Sequence, residues 1–153
     1  KIYKMIKQAT LHDINKLTPL FDAYRQFCHK QSDLDAAKDF LEARVENNES
    51  VIYIATNELD HFVGFVQLFP SFPSTRLKRF WVLNDLFVCK EFRGNGYSRE
   101  LIEHAKQLCY ATDACGMLLE TSVMNEIGNN LYPSSGFQLR DDANFYEWET
   151  QPN

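Results

Sequence analysis

The sequence lacks the features that would place it outside the ordinary globular class. Its longest apolar runs, such as residues 80–83, are far shorter than the roughly 18 residues that a membrane-spanning helix needs. Glycine and proline number only six and five among 153 residues, and no repeat or flexible linker divides the chain. Hydrophobic residues make up 44% and charged residues 24%, close to globular averages. We therefore expect one domain over residues 1–153, in the cytoplasm and with no membrane partner.

Metal-binding and disulfide patterns are also missing. The four cysteines, Cys28, Cys89, Cys109 and Cys115, form no CxxC pair, and the four histidines are scattered. Structural zinc sites and disulfide frameworks depend on such spacings. The sequence therefore predicts reduced thiols and no metal.

Positive charge is in deficit, which bears on the choice of partner. Sixteen basic residues against twenty-one acidic residues give a net charge of −5. This balance opposes attraction to phosphate backbones, so we expect no nucleic-acid partner. It mildly favours a cationic small molecule, although an acidic surface also serves solubility alone.

The periodicity of apolar residues predicts a mixed α/β fold in the order β-α-α-β-β-β-α-β-α-β-β. The predicted strands cover residues 2–9, 51–55, 62–69, 78–88 and 117–123, with final strands at Phe137 and residues 145–148. The predicted helices begin after Thr10 and at Ser32, and cover residues 101–109 and 127–132. Pro19 falls in the first helical pattern, where we expect a kink or a restart.

Two polar residues interrupt the strand predicted at residues 78–88. Both faces of this strand are otherwise apolar, which is typical of a central position in a sheet. Asn84 and Asp85 lie in its middle, where an unpaired buried polar group costs about 1–3 kcal/mol. Either they bond to neighbouring backbone at a bulge, or they serve catalysis or substrate binding.

A glycine-containing segment follows that strand. Arg93–Ser98 reads RGNGYS and precedes an amphipathic helix, so its amides can turn towards an anion at the helix N-terminus. A plain strand-to-helix turn is the alternative interpretation. The dinucleotide fingerprint GxGxxG is excluded by Arg99, and no P-loop sequence is present.

Two segments together resemble a known family. The strand at residues 86–88 followed by RGNGYS resembles motif A of the GNAT superfamily of acetyl-CoA-dependent N-acetyltransferases. Asn125–Phe137, NEIGNNLYPSSGF, resembles its motif B, usually NxxAxxLYxxxGF. The resemblance implies the GNAT fold over nearly the whole chain: a central, mostly antiparallel sheet of six or seven strands, flanked by helices and splayed after the fourth strand. The diamine acetyltransferases and small yeast-type histone acetyltransferases look most similar.

The resemblance also implies a site for acetyl-CoA. Backbone amides would hold the pantetheine arm and the pyrophosphate, and one asparagine side chain would bond the pantetheine. The residues so implied are Leu86, Phe87, Val88, Arg93, Gly94, Asn95, Gly96, Tyr97, Ser98, Arg99 and Asn125. An amide of Phe87 or Val88 could also support the thioester carbonyl oxygen.

Catalytic roles follow from the chemistry and the same resemblance. Tyr132 would protonate the departing thiolate, and Asp85 would accept the proton of the amine. Asn84 occupies the position at which the diamine acetyltransferases have a glutamate base, and asparagine cannot accept a proton. Pro133 is expected to push Tyr132 out of helical geometry.

The function expected is acetyl transfer from acetyl-CoA to a primary amine in a ternary complex. A polyamine-like small cation leads as acceptor. A protein lysine or N-terminus, an amino acid and an aminoglycoside remain open, as does a non-catalytic domain that binds acyl-CoA. Relatives often dimerise through their C-terminal strands, so Phe145, Tyr146 and Trp148 are candidates for a homodimer interface.

Overall fold

Five strands organise the part of the chain that ends at Glu120. The computed structural model describes residues 4–151 and separates after Glu120 into two compact units. The strands of the first unit are β1 (Met5–Gln8), β2 (Val51–Thr56), β3 (Phe62–Ser71), β4 (Phe80–Val88) and β5 (Met117–Leu118). They lie side by side in chain order. Neighbours are antiparallel from β1 to β4, and β5 is parallel to β4.

The sheet opens after β4, as predicted. β5 pairs with β4 only at Trp81 and Val82. Beyond them, from Leu83 to Val88, no strand among the described residues pairs with this edge of β4. A row of backbone donors and acceptors is thereby left for another partner.

Helices cover both faces of the sheet. They are α1 (Ile14–Phe27), α2 (Leu34–Glu46) and α3 (Tyr97–Ala111). The second unit contains one further helix, α4 (Glu126–Ser134). Ile54 of β2 packs in a core cluster with α1 and α2, whereas the ring of its neighbour Tyr53 contacts His104 of α3. Because successive strand residues point to opposite faces, α3 lies on the other face. None of the described helices meets the length and apolarity required to span a membrane.

The helix starts follow the capping signals of the sequence. Thr10 and Asp13 form a capping box ahead of α1, and the Asp33 carboxylate accepts the Ala36 amide at the start of α2. Pro19, however, lies inside α1, which neither ends nor restarts there. A proline inside a helix costs about 3 kcal/mol. Burial of the apolar stripe of α1, each large side chain contributing about 1.5–3 kcal/mol, offsets that cost.

A buried carboxylate joins α1 to α2. Asp22 is only 4% exposed and accepts hydrogen bonds from the Ser32 hydroxyl at 2.6 Å and the Asp33 amide at 2.9 Å. The Ser32 hydroxyl and the Asp33 amide lower the pKa of Asp22 against the opposing effect of burial, and Arg25 adds to the lowering. The charged carboxylate therefore holds the connection between the helices.

The second unit departs from the predicted strands. α4 includes Tyr132 and Pro133, so Pro133 does not displace Tyr132 from the helix. Residues 137–151 form neither helix nor strand, and β5 ends at Leu118. The strands predicted at Phe137 and residues 145–148 are absent from the described residues, because an alternating pattern forms a strand only beside a hydrogen-bonded neighbour. The described sheet therefore has five strands instead of six or seven.

Candidate active site

A bulge in β4 sets the position of its two polar residues. Gln67 of β3 pairs with Asp85, but the next residue, Leu68, pairs with Leu83, so Asn84 is the extra residue. A bulge interrupts the alternation of side chains and re-aims the residues beside it. Asn84 is exposed, whereas Asp85 is 6% exposed. The bulge considered from the sequence is therefore present, but Asp85 bonds there to side chains instead of to neighbouring backbone, and its catalytic role stays a prediction.

Side-chain donors hold that carboxylate in place. Gln67 Nε2 donates to Asp85 Oδ2 at 2.7 Å, and Asn84 Nδ2 donates to Asp85 Oδ1 at 3.0 Å. The side-chain oxygen Oε1 of Gln67 in turn accepts from the Ser50 hydroxyl at 2.8 Å. Asn84 therefore assists Asp85 as a donor, a role that an amide can fill although it cannot accept a proton.

Burial makes Asp85 a stronger base than an exposed aspartate. Desolvation raises the pKa of Asp85, while hydrogen bonds from Gln67, Tyr24 and Asn84 hold it down in part. The hydroxyl of Tyr24 lies beside the carboxylate, and desolvation followed by the Asp85 charge raises the pKa of Tyr24. Tyr24 therefore stays protonated and acts as a donor. A carboxylate with a raised pKa in a fixed position is typical of a general base.

The loop between β4 and α3 has the backbone of an anion site. Gly94 and Gly96 have φ values of +79° and +85°, a region that L-residues with a side chain rarely adopt. A Cβ placed on Gly94 would meet no atom within 4 Å, so space is open beside the loop. The Glu100 amide of α3 donates to the Gly96 carbonyl one turn earlier. The amides of Tyr97 and Ser98 lie in the first turn of α3, where helix geometry offers an amide no such carbonyl. These features fit a pyrophosphate.

Arg93 does not direct its charge into this loop. Its Nε donates to the Val88 carbonyl at 2.9 Å, and its guanidinium carbon lies 5.3 Å from the ring centre of Phe27 and 5.6 Å from that of Phe87. The side chain therefore fastens the loop to the end of β4 and to α1. Its backbone amide donates to the Lys90 carbonyl at 3.4 Å, and the role of that amide towards the pyrophosphate stays a prediction.

The open edge of β4 presents alternate amides. The Cys89 amide donates to the Val63 carbonyl of β3 at 2.8 Å. Because successive amides of a strand point to opposite edges, those of Val88 and Leu86 point to the open edge and that of Phe87 points to β3. Leu86 and Val88 can therefore bind an extended ligand in the manner of an added strand. Of the two amides considered for the carbonyl oxygen, the geometry favours Val88.

The second unit contains the other predicted site residues. The side-chain oxygen Oδ1 of Asn125 accepts the Gly128 amide at 3.1 Å and so caps α4, while its Nδ2 donates to the Thr121 hydroxyl at 2.8 Å. A Cβ on Gly128 would collide with the Asn125 side chain and lie 3.2 Å from the Tyr132 ring. Glycine, where the family usually has alanine, thus suits this arrangement. The role of Asn125 towards pantetheine stays a prediction.

Tyr132 is half-buried and its ring packs edge-on against Phe137, with 5.8 Å between the ring centres. Burial raises the pKa of Tyr132, so its hydroxyl keeps its proton at neutral pH.

Cys89, next to the end of β4, is not activated as a nucleophile. Burial, reinforced by the charge of Glu91, raises the pKa of its thiol. A protonated thiol is a poor nucleophile, in keeping with the expectation that Cys89 takes no part in the chemistry.

A match to a known family accompanies this geometry. A model of the acetyltransferase (GNAT) family matches residues 14–137. The chain belongs to the GNAT acetyltransferase family. As a GNAT protein it is an acetyl-CoA-dependent N-acetyltransferase, which confirms the class of enzyme and the fold predicted from the two motifs.

Similar proteins agree with this family. The "Uncharacterized N-acetyltransferase YhfO" of Bacillus subtilis (strain 168) is 40% identical over 143 residues, 94% of each chain. A solved structure described as that of a "probable acetyltransferase" is also 40% identical, with a TM-score of 0.92 over 97% of this chain and 99% of the other. The aminoglycoside N-acetyltransferase AAC(6')-Iy, solved with CoA, shares the GNAT fold at 18% identity, with a TM-score of 0.83 over 98% and 97% of the two chains.

Three residues near the predicted site carry weak or no signals in the sequence. Gln67 stands out as one polar residue in the apolar run FVGFVQLF of β3, a signal that could have been read. Tyr24 and Ser50 carry no such mark. The contact of Tyr24 with Asp85 depends on how α1 packs on the sheet, and that of Ser50 with Gln67 depends on the register of β2 against β3.

Proposed function

We propose that this N-acetyltransferase moves the acetyl group of acetyl-CoA to the primary amine of a small, cationic, polyamine-like acceptor. The buried Asp85 carboxylate is the observation that carries the proposal. It lies at the bulge of β4, fixed by Gln67 and Asn84, and its pKa is raised by burial. An alkylamine arrives protonated at neutral pH, and such a carboxylate both attracts it and accepts its proton.

The cofactor is held by this chain's backbone. The Leu86 amide binds the pantetheine arm along the open edge of β4, which leaves the Val88 amide for the thioester carbonyl, and the loop from Arg93 to Arg99 binds the pyrophosphate. CoA is bound to the structurally similar aminoglycoside N-acetyltransferase, which supports acetyl-CoA as the co-substrate. Acetyl-CoA supplies the activated acetyl group as a thioester.

Direct transfer from a protonated amine needs three proton movements. Asp85, directly or through water, takes one proton from the ammonium, and the lone pair of the neutral amine attacks the thioester carbon. The Val88 amide donates to the carbonyl oxygen as negative charge develops there. When the carbon–sulfur bond breaks, the thiolate takes the proton of the Tyr132 hydroxyl. The acetylated nitrogen gives its second proton to solvent, which reprotonates Tyr132, and Asp85 returns its proton to solvent. No bond to the enzyme forms.

Charge supports a cationic acceptor. The net charge of −5 raises the local concentration of polycations and lowers that of anionic amines.

The four cysteines are all free thiols in the structure, which supports action in a reducing compartment such as the cytoplasm.

Three aromatic residues near the end of the chain are exposed: Phe145 to 72%, Tyr146 to 91% and Trp148 to 85%. We include in the proposal that a second copy of the chain covers them. Light scattering of the purified chain tests this part: a mass of one chain would contradict it.

An acceptor panel tests the function. CoA release from acetyl-CoA is measured with spermidine, putrescine, an aminoglycoside, free amino acids and a lysine-containing peptide. We expect kcat/KM for the polyamines to exceed that for the carboxylate-bearing amino acids at least tenfold. A peptide or an amino acid as the best acceptor would contradict the acceptor class. Hydrolysis without any amine dependence would contradict the transfer itself.

A further inference from the structure

An ammonium group from the start of the chain reaches the cofactor loop. Lys4 lies immediately before β1, and its Nζ donates to the Asn95 carbonyl at 2.7 Å, across 91 positions of sequence. The same nitrogen lies 5.9 Å from the ring centre of Tyr97, the first residue of α3. Nothing in the two sequence motifs includes Lys4.

This contact fixes one peptide group of the loop. The carbonyl of Asn95 and the amide of Gly96 belong to the same planar trans peptide, so they point in opposite directions. With the carbonyl bound to Lys4, the Gly96 amide points away from Lys4. A cation on the carbonyl also polarises the peptide and makes its N–H a stronger donor.

The loop is shaped to receive this side chain. A Cβ on Gly96 would lie 2.8 Å from Lys4 Nζ, so glycine at this position leaves room for the ammonium as well as permitting the positive φ. The side chain of Asn95 is bound within the loop, since its Nδ2 donates to the Phe92 carbonyl at 3.0 Å. Hydrogen bonds thus hold both the backbone carbonyl and the side chain of Asn95.

Charge gives Lys4 a second effect. The chain is acidic overall, and the guanidinium of Arg93 is engaged with the Val88 carbonyl and two aromatic rings. Lys4 places a positive charge directly behind the loop, where it raises the potential felt by an anion on the other side.

We propose that Lys4 is a positioning residue for the pyrophosphate of acetyl-CoA, holding the 95–96 peptide so that the Gly96 amide faces the phosphates. The inference rests on the proposed cofactor role of the loop from Arg93 to Arg99. It predicts that Lys4 acts on the phosphate-bearing part of the cofactor and leaves binding of the pantetheine arm unchanged.

Calorimetric titration with CoA tests the proposal on the wild-type chain, Lys4→Met and Lys4→Arg. Lys106→Met is the matched control, because it also removes one positive charge but from the pair with Glu103 on α3. Losing a charge-assisted hydrogen bond should raise the Kd for CoA about tenfold in Lys4→Met. Lys4→Arg should stay within about threefold of wild type and Lys106→Met within about twofold.

A phosphate-free fragment separates positioning from a general structural effect. Titration with pantetheine, followed by NMR, should give the same affinity in wild type and Lys4→Met. Equal CoA affinity in wild type and Lys4→Met would overturn the proposal, as would a loss of pantetheine affinity by the same factor as CoA. A wild-type chain that does not bind CoA would instead refute the proposed cofactor site itself.

Discussion

Replacement of Asp85 by asparagine is the sharpest test of the proposed chemistry. Asp85→Asn keeps the size of the side chain but removes the proton acceptor. A positioned general base contributes typically 10²–10⁴-fold to rate, so we expect kcat to fall at least about a hundredfold. The Kd for CoA should stay within about twofold, because the backbone of β4 is unchanged.

The same change has a calculable effect on stability. Both carboxylate oxygens of Asp85 accept hydrogen bonds, at 2.7 Å from Gln67 and 3.0 Å from Asn84. Asparagine turns one acceptor into a donor that faces a donor, so one bond is lost at a cost of about 1–3 kcal/mol. Since 1 kcal/mol corresponds to about 2–4 °C for a chain of this size, Tm should fall by about 2–12 °C. Rates are therefore compared well below the lower Tm.

The assay is the pH dependence of kcat with an acceptor amine that titrates far from Asp85. In the wild type, kcat should fall as pH drops through the raised pKa of Asp85, because the protonated carboxyl cannot accept a proton. The pH profile of Asp85→Asn should lack this fall in kcat at low pH. Asp113→Asn, which removes an exposed carboxylate paired with Lys78, serves as the control and should keep both the wild-type kcat and the fall at low pH. If Asp85→Asn has a kcat within threefold of wild type and the same fall at low pH, Asp85 is not the base.

Four further substitutions test other parts of the account. Tyr132→Phe should lower kcat about a hundredfold with an unchanged Kd for CoA by calorimetry; an unaltered single-turnover rate would exclude Tyr132 as the acid. Gly94→Ala should lower the unfolding free energy measured in urea by about 1–2 kcal/mol through its positive φ, and Gly96→Ala by more, because its Cβ also meets a side chain; the reverse order would contradict the loop geometry. The lowered pKa of Asp22 means that its charged form stabilises the fold above the unfolded pKa, and this stabilisation is lost as pH falls below about 4. Urea unfolding of Asp22→Asn should show a smaller loss over that range than the wild type, and parallel pH curves would contradict it.

Local signals in the sequence account for most of the fold. The capping residues Thr10, Asp13 and Asp33 and the alternation of apolar residues place the helices and the first four strands within a few residues. The position of the glycine loop between β4 and α3 could be predicted because Gly94 and Gly96 lie close together in the sequence, directly before an amphipathic helix.

Contacts between distant residues could not be predicted in the same way. The hydrogen bond from Gln67 to Asp85 depends on the register of β3 against β4 and on the bulge at Asn84. A shift of one residue would turn one of these side chains to the other face. The contact of Lys4 with Asn95 likewise requires the folded chain.

Three expectations failed because tertiary structure outweighed a local rule. α1 does not restart at Pro19, since the helix buries a long apolar face. Pro133 leaves Tyr132 inside α4. The alternating residues 145–148 do not form a strand in the described structure, where Phe145, Tyr146 and Trp148 are exposed. A pattern that suits a strand is insufficient without a neighbour to bond.

Thermal unfolding of the chain with increasing acetyl-CoA, CoA or NADH tests the central claim most directly. A ligand at 100 times its Kd stabilises the folded state by about 2.7 kcal/mol, which corresponds to about 5–10 °C here. We predict such a shift with acetyl-CoA and CoA and none with NADH. No shift with either CoA form up to millimolar concentration would contradict the cofactor site, and with it the proposed function.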